Sequence, residues 1–215
     1  MGTYNEEAAI ETVLSDIESV TDGRANVICV DSSTDRTPEI AQSHGARVIE
    51  QEPQGYGVAV ATALDAADRP VIVTTDCDDT YPVEELPTFL ELINDGYDVV
   101  SGDRLTNGAD AMPKINRIGN LAFALLASLL MGRRLADTTT GMRAYRRAVI
   151  ESIEWTENTG LSAELLMRPI GRGYAVTEVP IDYDDRLGET TLDPLTGGAA
   201  IAKSIIKVGL QERVR

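Results

Sequence analysis

Lysine is nearly absent from this chain: 215 residues hold three, Lys114, Lys203 and Lys207, against sixteen arginines and 35 acidic residues. The net charge of -16 and the pI near 4.4 argue against a nucleic-acid partner, because phosphate backbones are gripped by Lys and Arg. An acidic surface poor in lysine suits a protein kept soluble in concentrated salt, where screening over a few ångströms removes self-repulsion. Long apolar runs are missing too. The longest, Leu121 to Met131, falls short of the roughly 18 to 20 residues that a spanning helix needs. No basic, apolar, cleavable start is seen, so the expectation is a cytoplasmic protein, at most peripheral at the inner face of the cell membrane. Cysteine is limited to Cys29 and Cys77, too few for a disulfide framework and wrongly spaced for a thiolate metal site; both are expected as reduced thiols. The single histidine, His44, precedes Gly45 at a helix end, where a cation is favoured by the dipole, and receives no catalytic role. Trp155, also single, is read as packing.

What the chain does hold is a regular alternation in its first half. "ANVICVD" (25–31) is an apolar run ending in an acid, and "RTPEIAQSHG" (36–45) follows at helical spacing with a terminal glycine. "RVIEQE" (47–52) and "GVAVATALDAA" (57–67) repeat the step, and residues 70–75 open a third strand. A helix over Val83–Asn94 and a strand over Tyr97–Ser101 come next. Strands alternating with helices predict an α/β fold: one doubly wound, mostly parallel sheet with helices on both faces. Ligands of such sheets sit beyond the carboxyl ends of the strands, where Asp31 and Asp76–Asp79 fall. "MGTYNEE" puts Tyr4-Asn5-Glu6 among the first residues with no strand expected ahead of them, although a doubly wound domain should have its first strand there. Later, "LAFALLASLLM" (121–131) predicts a helix that is apolar nearly all round, whose default is burial in the core and whose alternative is docking on a membrane or a partner. "AVTEVPIDY" (175–183) predicts an edge strand because of its proline, and "GGAAIAKSIIKVGL" (197–210) an amphipathic helix carrying two of the lysines toward anionic headgroups or a packed core.

"VIVTTDCDDTYP" (71–82) places three carboxylates in four positions after a buried strand. Like charges that close raise one another's pKa unless a cation sits among them, and a divalent metal is the simplest candidate. Hard oxygen ligands select Mg or Mn, which keep waters and bridge substrate phosphates.

Taken in order, "TYNEE" (3–7), "VDSSTDRT" (30–37), "QGYGVAV" (54–60), "TDCDDTYP" (75–82), "GDR" (102–104), "DTTTGMRAY" (137–145) and "EVPIDYDDRLGET" (178–190) resemble the family 2 inverting glycosyltransferases of GT-A fold, and among them the dolichyl-phosphate mannose and glucose synthases. The resemblance covers almost the whole chain and implies one glycosyltransferase domain over 1–215, with a nucleotide-sugar half (1–105) and an acceptor half (106–215). It implies transfer of a hexose from a UDP- or GDP-linked donor to a polyprenyl (dolichyl) phosphate, for protein N-glycosylation or related glycan assembly. By motif match, Thr3, Tyr4 and Glu6 would lie along the nucleotide and Asp31 would bond the base. Gly55 and Gly57 would form the donor loop, although they fit a helix-start turn equally well. Asp76 and Asp78 would hold the metal and diphosphate, with Thr80 as a weaker ligand, and Arg104, Arg117 and Arg186 would hold phosphates. A planar guanidinium is the natural bidentate partner of phosphate.

Two features depart from the family pattern. "RLGETT" (186–191) has Thr190–Thr191 where the family has Ser-Lys, and the spanning tail of many relatives is not expected in these 215 residues. A phosphate acceptor is largely ionised at neutral pH, its second pKa being about 6, so it needs no strong base. A sugar hydroxyl acceptor would need one, and Asp137 is then the candidate, with a cap on the "TTTG" turn as its other reading. Other readings stay open at this point: a lipid-linked saccharide or soluble acceptor, a non-catalytic nucleotide-sugar-binding subunit, and a haloacid-dehalogenase-like phosphatase, whose Asp-x-Asp-x-Thr pattern "DCDDT" satisfies. Sequence alone leaves the oligomeric state unknown.

Overall fold

The computed structural model describes residues 1–107, 111–187 and 194–214. Strands β1 (Gly2–Thr3), β2 (Ile28–Asp31) and β3 (Arg47–Glu50) form a parallel sheet in the order β1-β2-β3. Strands β4 (Val71–Thr74), β5 (Val99–Asp103), β6 (Arg143–Arg146) and β7 (Val176–Pro180) form a second hydrogen-bonded group in the order β4-β6-β5-β7. There β7 runs parallel to β5, while β6 lies antiparallel between β4 and β5. The helices are α1 (Ile10–Val20), α2 (Thr37–Ser43), α3 (Tyr56–Ala66), α4 (Leu86–Asn94), α5 (Lys114–Met131), α6 (Arg147–Ser152), α7 (Leu161–Gly171) and α8 (Pro194–Arg213).

Successive strand side chains point to opposite faces, and here both faces are covered. Val71, Val73, Val100 and Ala144 meet α1 and α4 through Val13, Ile17, Phe89 and Ile93. Their neighbours Ile72, Val99 and Tyr145 meet α3, α6, α7 and α8 through Leu64, Val149, Leu166 and Ile205. The doubly wound α/β expectation is met, with one antiparallel strand in the middle. Pro180 ends β7, which lies at the sheet's edge as its proline requires.

The expectation that no strand stands ahead of Tyr4 is corrected. Gly2 and Thr3 pair with Val30 and Asp31, the Met1 ammonium donates to the Ile28 carbonyl at 2.9 Å, and Val30 N–H donates to the Met1 carbonyl at 2.9 Å. Two residues suffice because β2 supplies the ladder.

Core burial of the 121–131 helix holds for one face alone, where Phe123, Leu126, Ala127 and Leu130 pack into the core. The helix starts earlier, at Lys114, and ends on Gly132 in the left-handed conformation that a residue with a Cβ disfavours. Ala124 and Ala127 are its fully buried residues, whereas Ile115, Ile118, Leu121, Leu125 and Leu129 stay between 49% and 68% exposed. Their spacing of three and four residues puts them on one face. That face is left outside because α8 covers α5 on the opposite side, where a Cβ on Gly209 would come 2.8 Å from Leu130 Cβ.

The carboxyl ends of β1, β2, β4 and β5 carry Thr3, Asp31, Asp76–Thr80 and Arg104. Because β6 runs the other way, its beginning shares the rim of β4 and β5: Thr74 Oγ1 donates to the Gly141 carbonyl at 2.8 Å, and Gly102 N–H donates to Met142 O at 2.9 Å. The turn Asp137–Gly141 is thereby brought beside Asp76.

Candidate active site

Asp76 follows β4 directly. Its Oδ1 accepts from the Tyr56 hydroxyl at 3.1 Å, and it packs so closely on Gly141 that a Cβ there would lie 2.6 Å from Oδ2. Burial and the neighbouring Asp78 push its carboxyl up to about 6 from 3.8. Asp78 is buried. Its Oδ1 accepts from Thr80 Oγ1 at 2.6 Å and its Oδ2 faces Arg186 Nη1 at 2.8 Å. Thr80 therefore uses its hydroxyl to orient Asp78. Asp79 turns away through a positive φ of 63°.

Glu6 joins the pair from the other sheet. Its Oε1 accepts from Arg186 Nη2, which ties the first turn of the chain to the 184–187 segment, while its Oε2 is buried with no partner among the described residues. Burial pushes Glu6 up to about 7, with Arg186 opposing and Asp78 and Asp76 adding to the rise. Backbone bonds hold Arg186 in place, since Asp184 N–H donates to Thr80 O and Leu187 N–H to Asp78 O, each at 3.1 Å. Asp184 and Asp185 are exposed. "RLGETT" beyond Leu187, including Thr190 and Thr191, lies outside the described residues.

Arg104 approaches from the end of β5. Its Nε donates to Asp137 Oδ2 at 2.7 Å and its Nη2 to Asp137 Oδ1 at 3.0 Å, a bidentate pair in which Asp137 is fully buried. The guanidinium also lies over the rings of Tyr183 (5.3 Å) and Tyr81 (5.9 Å). Asp137 Oδ1 further accepts from Thr139 N–H at 3.0 Å. Despite its burial, Arg104 and these hydrogen bonds hold Asp137 below the usual carboxylate range. Both of its oxygens are occupied and it resists protonation, so it suits the aiming of Arg104 better than the taking of a proton. The turn-cap reading of Asp137 is the one the geometry shows.

Asp31 is buried at the end of β2, accepting from Thr3 Oγ1 at 2.6 Å, Ser33 Oγ at 2.7 Å and Ser33 N–H at 3.0 Å. Tyr4 is exposed beside it. Gly55 and Gly57 flank Tyr56 at the start of α3, Gly55 with φ +100°. Arg117 lies half-buried on the first turn of α5 and makes no ion pair among the described residues. The structure thus gathers Glu6, Asp76, Asp78, Arg104 and Arg186, places Thr3 and Asp31 on the adjoining rim, and does not bring Arg117 into contact with them. Sequence reasoning missed Tyr56, Tyr81 and Tyr183, although each sits inside a motif it had singled out.

Whether a divalent cation fits can be judged from these groups. Three carboxyls, two of them raised, and an unpartnered buried Glu6 oxygen leave the pocket short of positive charge. Among the described residues no three His, Cys, Asp or Glu side chains converge on one point. Asp76 and Asp78 would then hold the cation, with waters and substrate oxygens as its other partners, as is usual for Mg²⁺ held against phosphates.

Comparison with known proteins follows the same lines. Residues 1–154 match the family described as glycosyl transferase family 2. The chain is 72% identical to a dolichyl-phosphate hexose transferase of Haloferax volcanii, over all of this chain and 94% of that protein. It is 34% identical to glycosyltransferase AglJ of the same organism, over 93% of this chain and 67% of the other. Among solved structures, glucosyl-3-phosphoglycerate synthase of Mycobacterium tuberculosis, in complex with Mn²⁺, UDP and phosphoglyceric acid, superposes with a TM-score of 0.77 at 23% identity, over 98% of this chain and 76% of that one. At that identity the likeness is one of fold.

Proposed function

The chain belongs to glycosyl transferase family 2, and from that premise we propose that it transfers a hexose from a nucleoside diphosphate sugar to a polyprenyl phosphate of the dolichyl type. The observation that carries this reading is the pairing of Asp76 and Asp78 just past β4, with Arg186 in contact with Asp78 and the Arg104 charge, held by Asp137, close enough to act on Asp76. Its support in kind is the haloarchaeal relative named for dolichyl-phosphate hexose transfer, which matches the chain from end to end. Family membership removes the phosphatase reading, and Lys114, the one mid-chain lysine that reading could use, is exposed on α5.

In this reading Asp76 and Asp78 hold a divalent cation, Mg²⁺ or Mn²⁺, against the donor diphosphate; when bound it neutralises charge on the leaving group. Thr80 and Tyr56 fix the two carboxylates, so little reorganisation accompanies the reaction. Arg186 sits on Asp78 and Glu6 where a diphosphate would approach, and its planar fork suits phosphate oxygens. Arg104, aimed by Asp137 and lying over the packed rings of Tyr81 and Tyr183, offers charge to the acceptor phosphate. An acceptor oxygen attacks the anomeric carbon from the face opposite the leaving group. The new carbon–oxygen bond forms as the bond to the diphosphate breaks, the electron pair leaves with the nucleoside diphosphate, and the configuration inverts. A phosphate nucleophile arrives already ionised, which agrees with Asp137 being locked rather than free. Thr3 and Asp31 line the rim for the nucleoside, residues 1–105 serve the donor, and residues 106–215 serve the acceptor.

Acceptors of this class lie in bilayers, and the same structure offers a surface for one. No helix among the described residues is long and apolar enough to cross a membrane. The exposed aliphatic row of α5 is instead suited to lie on the lipid. All three lysines of this acidic protein stand on α5 and α8, and α5 contains no acid at all. Burying the α5 row would contribute on the order of 5 kcal/mol.

Incubating the purified protein with membranes and labelled UDP- or GDP-hexose tests the whole reading. Label should enter a lipid that mild acid releases, and Asp78→Asn should abolish the transfer. Label that appears only in free sugar, or transfer untouched by Asp78→Asn, contradicts it.

A further inference from the structure

Residues Ile153–Gly160 form neither helix nor strand, yet they reach across the molecule to the beginning of α3. Asn158 Oδ1 accepts from Gly57 N–H at 3.0 Å, and Asn158 Nδ2 donates to the Gln54 carbonyl at 2.7 Å, contacts that span more than a hundred residues of sequence. The approach is close enough to explain both glycines. A Cβ on Gly57 would come 2.3 Å from the Asn158 carbonyl oxygen, and one on Gly55 would come 2.7 Å from Asn158 Oδ1. Between them stands Tyr56, whose hydroxyl meets Asp76 Oδ1.

The strap carrying Asn158 is itself held from two sides. Glu164 of α7, fully buried, accepts from Thr156 N–H and Glu157 N–H, each at 2.9 Å. The Glu157 carboxylate accepts from Lys207 Nζ at 2.6 Å and from Ser204 Oγ, both on α8. By contrast, Glu52–Gly55 is exposed and lacks regular structure. Asn158 supplies both of the ties from the strap to 54–57, and the Tyr56 hydroxyl is held by Asp76 and, from α7, by Ser162.

We propose that Asn158 is a positioning residue for donor binding: it fixes Gln54–Gly57 so that the Tyr56 hydroxyl holds Asp76 turned toward Asp78 before the donor arrives. This rests on the glycosyl-transfer reading and adds to it a residue from the acceptor half of the chain. The physical basis is preorganisation, in which a contact made in the free protein spares the donor the cost of ordering the loop.

The test compares wild type, Asn158→Ala, Tyr56→Phe and the double variant in Mn²⁺-supported binding of UDP-glucose and GDP-mannose, with amide exchange at Gly57 and melting temperature read alongside. Losing the tie should weaken donor binding about tenfold, the scale of one net hydrogen bond. Gly57 exchange should rise, and melting should move by only a few degrees because Glu157 and Glu164 still hold the strap. The double variant should bind no worse than Tyr56→Phe, since Asn158 acts through that hydroxyl. Acceptor KM measured with polyprenyl phosphate should stay at the wild-type value in Asn158→Ala. Wild-type donor affinity in Asn158→Ala, or penalties that add in full in the double variant, overturn the proposal. A wild-type protein that takes up neither nucleotide sugar overturns the transfer reading, and this inference falls with it.

Discussion

The substitution Asp137→Asn separates two roles that the sequence left side by side, proton acceptor and anchor of Arg104. The structure favours the anchor, and the cost can be worked through. The introduced carboxamide keeps an oxygen for Thr139 N–H and Arg104 Nη2, but its nitrogen then faces Arg104 Nε, donor against donor. Removing one partner of a buried pair costs about 3 to 5 kcal/mol because the other charge stays buried. Here Arg104 retains Thr139 Oγ1, the Tyr81 hydroxyl and two aromatic rings, so the low end, about 3 kcal/mol, is expected. For a chain of this length that is a fall in melting temperature of roughly 6 to 12 °C. Asp137 is held below the usual range, so its contribution is full at neutral pH and is lost only as pH falls through that lowered value. Calorimetry in molar KCl at pH 7, paired with steady-state transfer assays on the folded enzyme, gives the readout. A variant that melts like the wild type while kcat drops a hundredfold or more would refute the anchor and restore the base.

Other outcomes follow from the same geometry. Glu6 and Asp76 are raised to about 7 and about 6, so their protonated forms favour the folded state; that stability is present below pH 4 and lost as pH climbs through those values. In EDTA, Glu6→Gln should therefore be more stable than wild type at pH 8, by about 1 to 3 kcal/mol in denaturant unfolding, and the gap should close below pH 5; a gap of opposite sign contradicts the burial argument. Leu121→Asp with Leu125→Asp should abolish flotation with vesicles containing anionic lipid while leaving donor binding in solution unchanged; unaltered flotation would remove the α5 row as the lipid contact. Lowering KCl from molar to about 0.1 M lengthens screening from about 3 to about 10 Å, and the charge of -16 should then lower the melting temperature, as a thermal scan across KCl would show.

Most of the rim was legible because strand ends in an α/β sheet are marked by apolar runs that stop at acids, as at Asp31 and Asp76. β6 was not legible. "RAYR" carries two arginines in four residues, yet Arg143 is fully buried in the centre of the sheet, its guanidinium taken up by Ser101 Oγ and the Thr138 carbonyl. The covered side of α5 was not legible either, because its composition is apolar nearly all round. Which side of such a helix is covered depends on α8, far along the chain. Tyr56 and Asn158 depend in the same way on contacts between segments distant in sequence, which no local pattern encodes. The Asp137–Arg104 pair is a similar case: both residues were singled out, but their bond reassigns the role of one of them.

The claim on which the rest depends is that Asp76 and Asp78 join a cation to a donor diphosphate. Titration calorimetry of the purified protein with UDP- and GDP-hexoses in molar KCl, with Mn²⁺ and then with EDTA, tests it most directly. Binding of at least one donor that EDTA abolishes, and that Asp78→Asn loses, is the predicted result; binding indifferent to both chelator and substitution would contradict it.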